Sequence, residues 1–203
     1  MDEKTMPRHF TGILASGLML AAFAAPPAWA GGTTERVSVG QGGVQANGFS
    51  DGPAISADGR FVAFLSACAN LVQGDTNGAI DVFVRDRQRA TTERVSLGQG
   101  GRQANARSGV PAISPDGRFV AFDSQAGNLL PRATDHRWNI FLRDLQTGAI
   151  QRMSVGAGGL PTGGPSTKPV VASGGAAVAF TSSGPNLVPG DSNGVGDAFL
   201  RTR

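Results

Sequence analysis

The sequence predicts an all-β, propeller-like fold of three four-stranded antiparallel blades, and three observations carry that prediction. The first is repetition. Ile55-Ser-Ala-Asp-Gly-Arg-Phe-Val-Ala-Phe64 returns as Ile113-Ser-Pro-Asp-Gly-Arg-Phe-Val-Ala-Phe122 and, more loosely, as Val171-Ala-Ser-Gly-Gly-Ala-Ala-Val-Ala-Phe180. Both steps are 58 residues, so one supersecondary unit has been copied without insertion. The second is periodicity: each copy holds four short alternating or apolar runs and no helical stretch. The third is composition, with 30 glycines and only 16 % charged residues, which suits short strands joined by many turns. Antiparallel four-stranded units at this spacing describe propeller blades. A β-sandwich is the competing architecture, but it does not require so strict a period.

Each element follows from local chemistry. Glu35-Arg-Val-Ser-Val39, Thr91-Thr-Glu-Arg-Val-Ser-Leu97 and Gln151-Arg-Met-Ser-Val155 alternate polar and apolar residues as half-buried strands do. Glycine-rich loops follow at Gly40–Gly43, Gly98–Gly101 and Gly156–Gly159. Pro53, Pro111 and Pro169 then open the next strands, where a missing N–H is tolerated. Asp58-Gly59 and Asp116-Gly117 carry the pair that tight hairpins prefer, and Gly174-Gly175 stands in their place in the third copy. Phe61–Phe64, Asp81–Arg85 and their copies supply the remaining strands. Phe61, Phe64, Phe83, Phe119, Phe122, Phe141, Phe180 and Phe199 are the expected stacking faces.

The repeats span about 33–90, 91–148 and 149–203, within a domain of residues 31–203. Three complete blades require the Glu35–Val39 strand to finish the last sheet, a circular closure that removes an exposed edge. Typical rings have about 4–8 blades. Three blades therefore leave an incomplete propeller or a six-bladed ring built by a homodimer.

Residues 1–30 read as a secretory signal. Lys4, Arg8 and His9 precede the apolar run Ile13–Ala25, and Ala28-Trp-Ala30 offers a cleavage site. Met6 as the start would remove Asp2 and Glu3, which sit poorly in such a leader. The run is shorter than the roughly 20 apolar residues of a membrane span, so no span is expected after cleavage and a periplasmic or secreted location is. Loss of residues 1–30 leaves the net charge at +3. The charges are scattered, without the basic runs that mark nucleic-acid binding. Cys68 is the only cysteine, expected as a small buried hydrophobe.

The phrase Pro-Ala-Ile-Ser-Pro-Asp-Gly-Arg-Phe-Val-Ala-Phe at 111–122, followed by Ile-Phe-Leu-Arg-Asp at 140–144, resembles the TolB-type WD40-like propeller repeat. The resemblance extends over residues 33–203. It implies an exported propeller that binds protein in the cell envelope, and it transfers no enzymatic residue.

Two loops are candidates for chemistry. Asp75-Thr-Asn77-Gly-Ala-Ile-Asp81 and Asp191-Ser-Asn193-Gly-Val-Gly-Asp197 gather hard oxygen donors around a glycine turn, as Ca²⁺ requires. The same residues cap tight turns without a metal. The spacing is not that of an EF-hand, and two carboxylates with one amide need carbonyls or waters to complete a shell. The middle copy, Arg132-Ala-Thr-Asp135-His136-Arg137-Trp138-Asn139, has lost most of the donors. There Arg132, His136, Arg137 and Trp138 form a basic aromatic cluster of the kind enriched at interaction hot spots. Arg36, Arg94 and Arg152, like Arg85, Arg143 and Arg201, recur in every copy and read as scaffold. A Ser-His-Asp triad would have to use His136, and no Gly-x-Ser-x-Gly elbow is present. The reading that follows is an exported, non-catalytic propeller binding a protein or ligand in the envelope. A calcium-dependent propeller hydrolase or lyase, and a fragment of a longer propeller without independent function, are its alternatives.

Overall fold

A computed structural model describes residues 32–131 and 135–203. The leader expected at residues 1–30 lies outside them. By internal contact the chain divides into residues 1–35 and 36–203, and the second unit holds every sheet found among the described residues.

The first sheet comprises β1 (Ser50–Ile55), β2 (Phe61–Ser66), β3 (Asp81–Asp86) and β4 (Thr91–Arg94), hydrogen-bonded in that order. The second repeats it with β5 (Ser108–Ile113), β6 (Phe119–Ser124), β7 (Asn139–Asp144) and β8 (Ile150–Arg152). The third has β9 (Ser166–Val171), β10 (Ala177–Ser182) and β11 (Asp197–Thr202). All pairings are antiparallel, and no α-helix occurs among the described residues. These are the blades of an incomplete propeller. β5 lies against β1, β2 and β3, and β9 against β5, β6 and β7, so the first strand of each blade wedges into its predecessor.

The closure expected of Glu35–Val39 does not occur in the single chain. Val39 forms an isolated bridge to Gln45 and its carbonyl accepts from Thr92 Oγ1 at 2.5 Å, and among the described residues the third sheet has three strands. The reason lies in how blades and repeats are offset. The Glu-Arg-Val-Ser phrase is the last strand of the preceding blade: β4, at the start of the second repeat, pairs with β3. Residues 36–39 therefore join no sheet among the described residues. The bridges Leu97–Gln103 and Val155–Pro161 repeat the geometry of Val39–Gln45, fixing the glycine-rich loop that leads from one blade to the next.

The hairpins form as their residues dictate. Asp58 Oδ1 accepts from Ser56 Oγ at 2.6 Å and from the Arg60 N–H at 3.0 Å, folding the turn around Gly59. Pro53 and Pro111 fall beside bulges, where the register shifts between Asp51 and Ala54 and between Ser108 and Pro111. Gly117 does more than turn. Its φ is +72°, and a Cβ there would lie 2.5 Å from the Phe61 ring of the preceding blade. Only glycine lets the hairpin rest on that ring.

The blades are joined by two apolar cores. One combines Ala63, Val82 and Val84 with Ile113, Val120 and Phe122; the other combines Ala121, Ile140 and Leu142 with Val171, Val178 and Phe180. Within blades, Phe64–Phe83 and Phe122–Phe141 stack with centroids 5.9 and 5.8 Å apart. Cys68 is buried and its sulfur accepts from the Gly48 N–H at 3.0 Å.

Candidate functional site

The donor-rich loop before β3 is closed by its own side chains. Asn77 Oδ1 accepts from the Ala79 N–H at 3.1 Å, and Asn77 Nδ2 donates to Asp81 Oδ2 at 2.8 Å. Arg94, on β4, donates through Nη1 to Asp75 Oδ1 at 2.8 Å and to Asp81 Oδ2 at 3.3 Å. Ser96 Oγ donates to Asp81 Oδ1 at 2.5 Å and accepts from the Val82 N–H at 3.0 Å. The positive charge that two carboxylates attract is here a guanidinium, nearly buried with its partners. Burial still pushes the Asp75 carboxyl up, against the pull of Arg94.

In the third blade Asn193 Nδ2 donates to Asp197 Oδ2 at 3.0 Å and Asn193 Oδ1 accepts from the Val195 N–H at 3.0 Å. The middle copy retains the same bond with its members exchanged: Asn139 Nδ2 donates to Asp135 Oδ1 at 2.8 Å. One amide and one carboxylate thus occupy these two positions in all three blades, in either order. A bond indifferent to that exchange is what a turn needs. Among the described residues no group of three or more potential metal-ligating side chains converges.

The recurrent arginines also have structural partners. Arg60 and Arg118 grip Asp86 and Asp144 by two bonds each, at 3.1 and 2.6 Å and at 3.1 and 2.8 Å. The Arg60 guanidinium holds Asp86 down to about 2, and Arg118 depresses Asp144 likewise. Arg143 reaches from the second blade to the backbone of the first, donating to Val95 O at 3.2 Å and also to Leu97 O.

The loop before β7 differs in side-chain character from its counterparts in the other two copies. His136 stands where the other copies have Gly78 and Gly194, and it keeps their left-handed backbone at φ 48°. Its imidazole lies on Gly127, where a Cβ would be 2.9 Å from Cε1. Trp138, half-buried, replaces Ile80 and Gly196 and receives the Arg107 guanidinium over its ring at 5.0 Å. Asp123, the fifth of the six residues of β6, stands where the other copies have Leu65 and Thr181. Gly109 leaves room for both: a Cβ there would collide with Asp123 Oδ1 and lie 3.2 Å from the Trp138 ring. Asp123 is 4 % exposed and accepts from the Lys168 N–H at 3.2 Å. Burial pushes its carboxyl up to about 6, only partly offset by that bond and one from the Val110 N–H. Arg137 Nη1 donates to Gly163 O at 2.8 Å, tying the loop to the one before β9.

The structure thus brings His136, Arg137 and Trp138 to one surface; Arg132 lies outside the described residues. Arg107, Gly109 and Asp123 join the cluster, although no motif in the sequence marks them. Repeat alignment does not single them out either, because the columns Phe49/Arg107/Pro165, Asp51/Gly109/Thr167 and Leu65/Asp123/Thr181 differ in all three copies. Within the cluster only His136 breaks a residue shared by the other two copies, Gly78 and Gly194. The exposed members are cationic or aromatic and can hold an acidic surface by charge and stacking.

The fold and this site define a propeller-blade repeat protein carrying one altered loop. No family model matches the chain, and no curated protein matches it. Among solved structures it is similar to TolB from Acinetobacter baumannii, at 19 % identity and a TM-score of 0.45, over 77 % of this chain and 30 % of that one. It is similar to a putative TolB from Agrobacterium tumefaciens at 15 % identity and a TM-score of 0.42, covering 77 % of this chain and 58 % of that one. The β-propeller domain of the trilobed protease from Pyrococcus furiosus, described as having an open velcro topology, matches at 15 % identity with a TM-score of 0.40. That match covers 67 % of this chain and 34 % of the protease domain. The likeness is one of fold, and this chain spans between about a third and three-fifths of these relatives' lengths.

Proposed function

We propose that this chain is an exported, non-catalytic binding module whose second blade holds an acidic protein partner through Arg107, His136, Arg137 and Trp138. The observation that carries the reading is the convergence of cationic and aromatic side chains on one surface, where Arg107 lies over the Trp138 ring and His136 takes the place of a glycine that both other copies keep. Arg107, Gly109, Asp123, His136 and Trp138 belong to that surface, and Lys168 of the neighbouring blade donates its N–H to Asp123. Two of them are maintained against a local penalty. His136 adopts a backbone that costs a side-chain-bearing residue about 1–2 kcal/mol, and Asp123 is a buried carboxylate without a side-chain cation among the described residues. Strain and desolvation concentrated at one surface are the marks of a working site. Export rests on the basic, apolar and Ala-x-Ala pattern of residues 1–30. In this reading the Asp75–Asp81 and Asp191–Asp197 loops are turns rather than calcium sites, and Arg94 already neutralises the first.

Trp138 reports directly on the proposal, because Trp29 leaves with the signal. Titration with poly-glutamate, a defined acidic probe, should shift Trp138 emission saturably at low salt and lose the effect as salt screens the charges. Arg107→Ala combined with Arg137→Ala should abolish the shift. An emission spectrum unmoved by the probe, or moved equally in the double variant, would refute the reading.

A further inference from the structure

The junction between blades is itself periodic. Val84 of the first blade shares a core with Ile113 of the second, and 58 residues on Leu142 shares a core with Val171. The next members of the two series are Leu200, on the third blade, and Ile55, which stands in the Ile113 position on the first. Ile113 and Leu142 are 8 % and 2 % exposed, whereas Ile55 and Leu200 are 61 % and 70 % exposed. One half of a third core thus faces outward at each end of the chain.

The sheet edges agree with the cores. On the first blade the edge of β3 is finished by the strand containing Arg94, Val95 and Ser96: the Val95 N–H donates to Val82 O at 2.7 Å, with Arg94 set between Asp75 and Asp81. On the third blade β11 has no such neighbour among the described residues, and Ala198, Asp191 and Asp197 occupy the positions that Val82, Asp75 and Asp81 hold on the first. The complementary strand exists elsewhere in the sequence. Thr33-Thr-Glu-Arg-Val-Ser38 repeats Thr91-Thr-Glu-Arg-Val-Ser96 residue for residue. Its Arg36 is exposed, and Val37 and Ser38 are only half-buried. A third observation lies on the first blade. Arg85 Nε is buried and has no hydrogen-bond partner among the described residues. The same nitrogen of Arg143 donates to Val95 O, the counterpart of Val37 O.

We infer that two copies of this chain close on each other, the Arg36–Ser38 segment of each completing the third sheet of its partner copy. Arg36 then lies between the other copy's Asp191 and Asp197, Ser38 meets Asp197 and the Ala198 N–H, and Leu200 covers Ile55. Burying these two apolar residues and pairing an open strand edge both favour association. Two such head-to-tail junctions related by a two-fold axis give a closed ring of six blades, within the range of about 4–8 that propellers adopt. The inference is independent of the binding proposed for the second blade.

Light scattering on the whole purified chain should give twice the mass of one chain. Ile55→Asp and Leu200→Asp each alter a residue that one chain leaves in water, so the blades stay folded by circular dichroism while the mass halves. Ser38→Cys with Asp197→Cys should yield a disulfide-linked species of two-chain mass on a non-reducing gel. The inference is overturned by a single-chain mass at every concentration, by a dimer that survives both aspartates, or by a cross-link within one chain.

Discussion

At the scale of the residue, Asp123 is the group whose environment differs most from its counterparts. A carboxyl raised to about 6 in the folded chain, against about 4 unfolded, binds its proton more tightly in the native state. Its contribution therefore favours folding most below pH 4, declines between about 4 and 6, and stays at its lowest above. Asp123→Asn should remove that decline and stabilise the protein near neutral pH by ~2–3 kcal/mol, read as a higher denaturation midpoint at pH 7 and a flatter profile from 4 to 6. Asp86 works the other way: held near 2 by Arg60, it supports folding above pH 4 and withdraws that support as the pH falls toward 2. An unchanged pH profile in Asp123→Asn would show that the carboxylate is better solvated than its burial implies. No pattern of hydrophobicity announces Asp123, because a single polar residue in a strand reads as an exposed position. It lies against Gly109, which has no side chain to displace it, and accepts from the Lys168 N–H, partners 14 and 45 residues away in the chain.

At the scale of the element, the strands were legible because their chemistry is local: Asp-Gly turns and Phe-Val-Ala-Phe runs act within a few residues. Pro53, Pro111 and Pro169, however, stand fourth in β1, β5 and β9 rather than opening them, a position that the register shifts beside Pro53 and Pro111 accommodate. The donor-rich loops were legible as turns or as metal sites, and the sequence left both open. In the first blade Arg94 sits between the two carboxylates, and it comes from a strand 13 residues beyond Asp81. The exchange of Asn and Asp between the second copy and the other two also hid a retained bond behind apparent loss. Gly117 is the sharpest test of how hairpins seat on the preceding blade. Gly117→Ala combines a left-handed backbone with a Cβ driven into the Phe61 ring, and should lower stability by ~2–3 kcal/mol. Thermal unfolding reads this as a fall in Tm of roughly 5–10 °C for a chain of this size. A melt indistinguishable from the parent's would mean that the hairpin lifts freely from Phe61.

At the scale of the molecule, the 58-residue period makes the architecture legible in the chain itself, yet it conceals where one blade ends and the next begins. The repeats meet near residue 90, whereas the first sheet continues through Arg94. That offset of a single strand leaves Thr33–Ser38 without a sheet and β11 paired to β10 on one side alone among the described residues. Unfinished edges of this kind seek pairing, and here the chain carries the complementary strand in its own sequence. The most direct measurement is amide hydrogen exchange across β3, β7 and β11 at a concentration where copies associate. The account predicts that residues 197–202 are protected as strongly as 81–86 and 139–144, and that Ile55→Asp strips the protection from 197–202 alone. Fast exchange at 197–202 in the parent protein, or protection there that Ile55→Asp leaves intact, would contradict it.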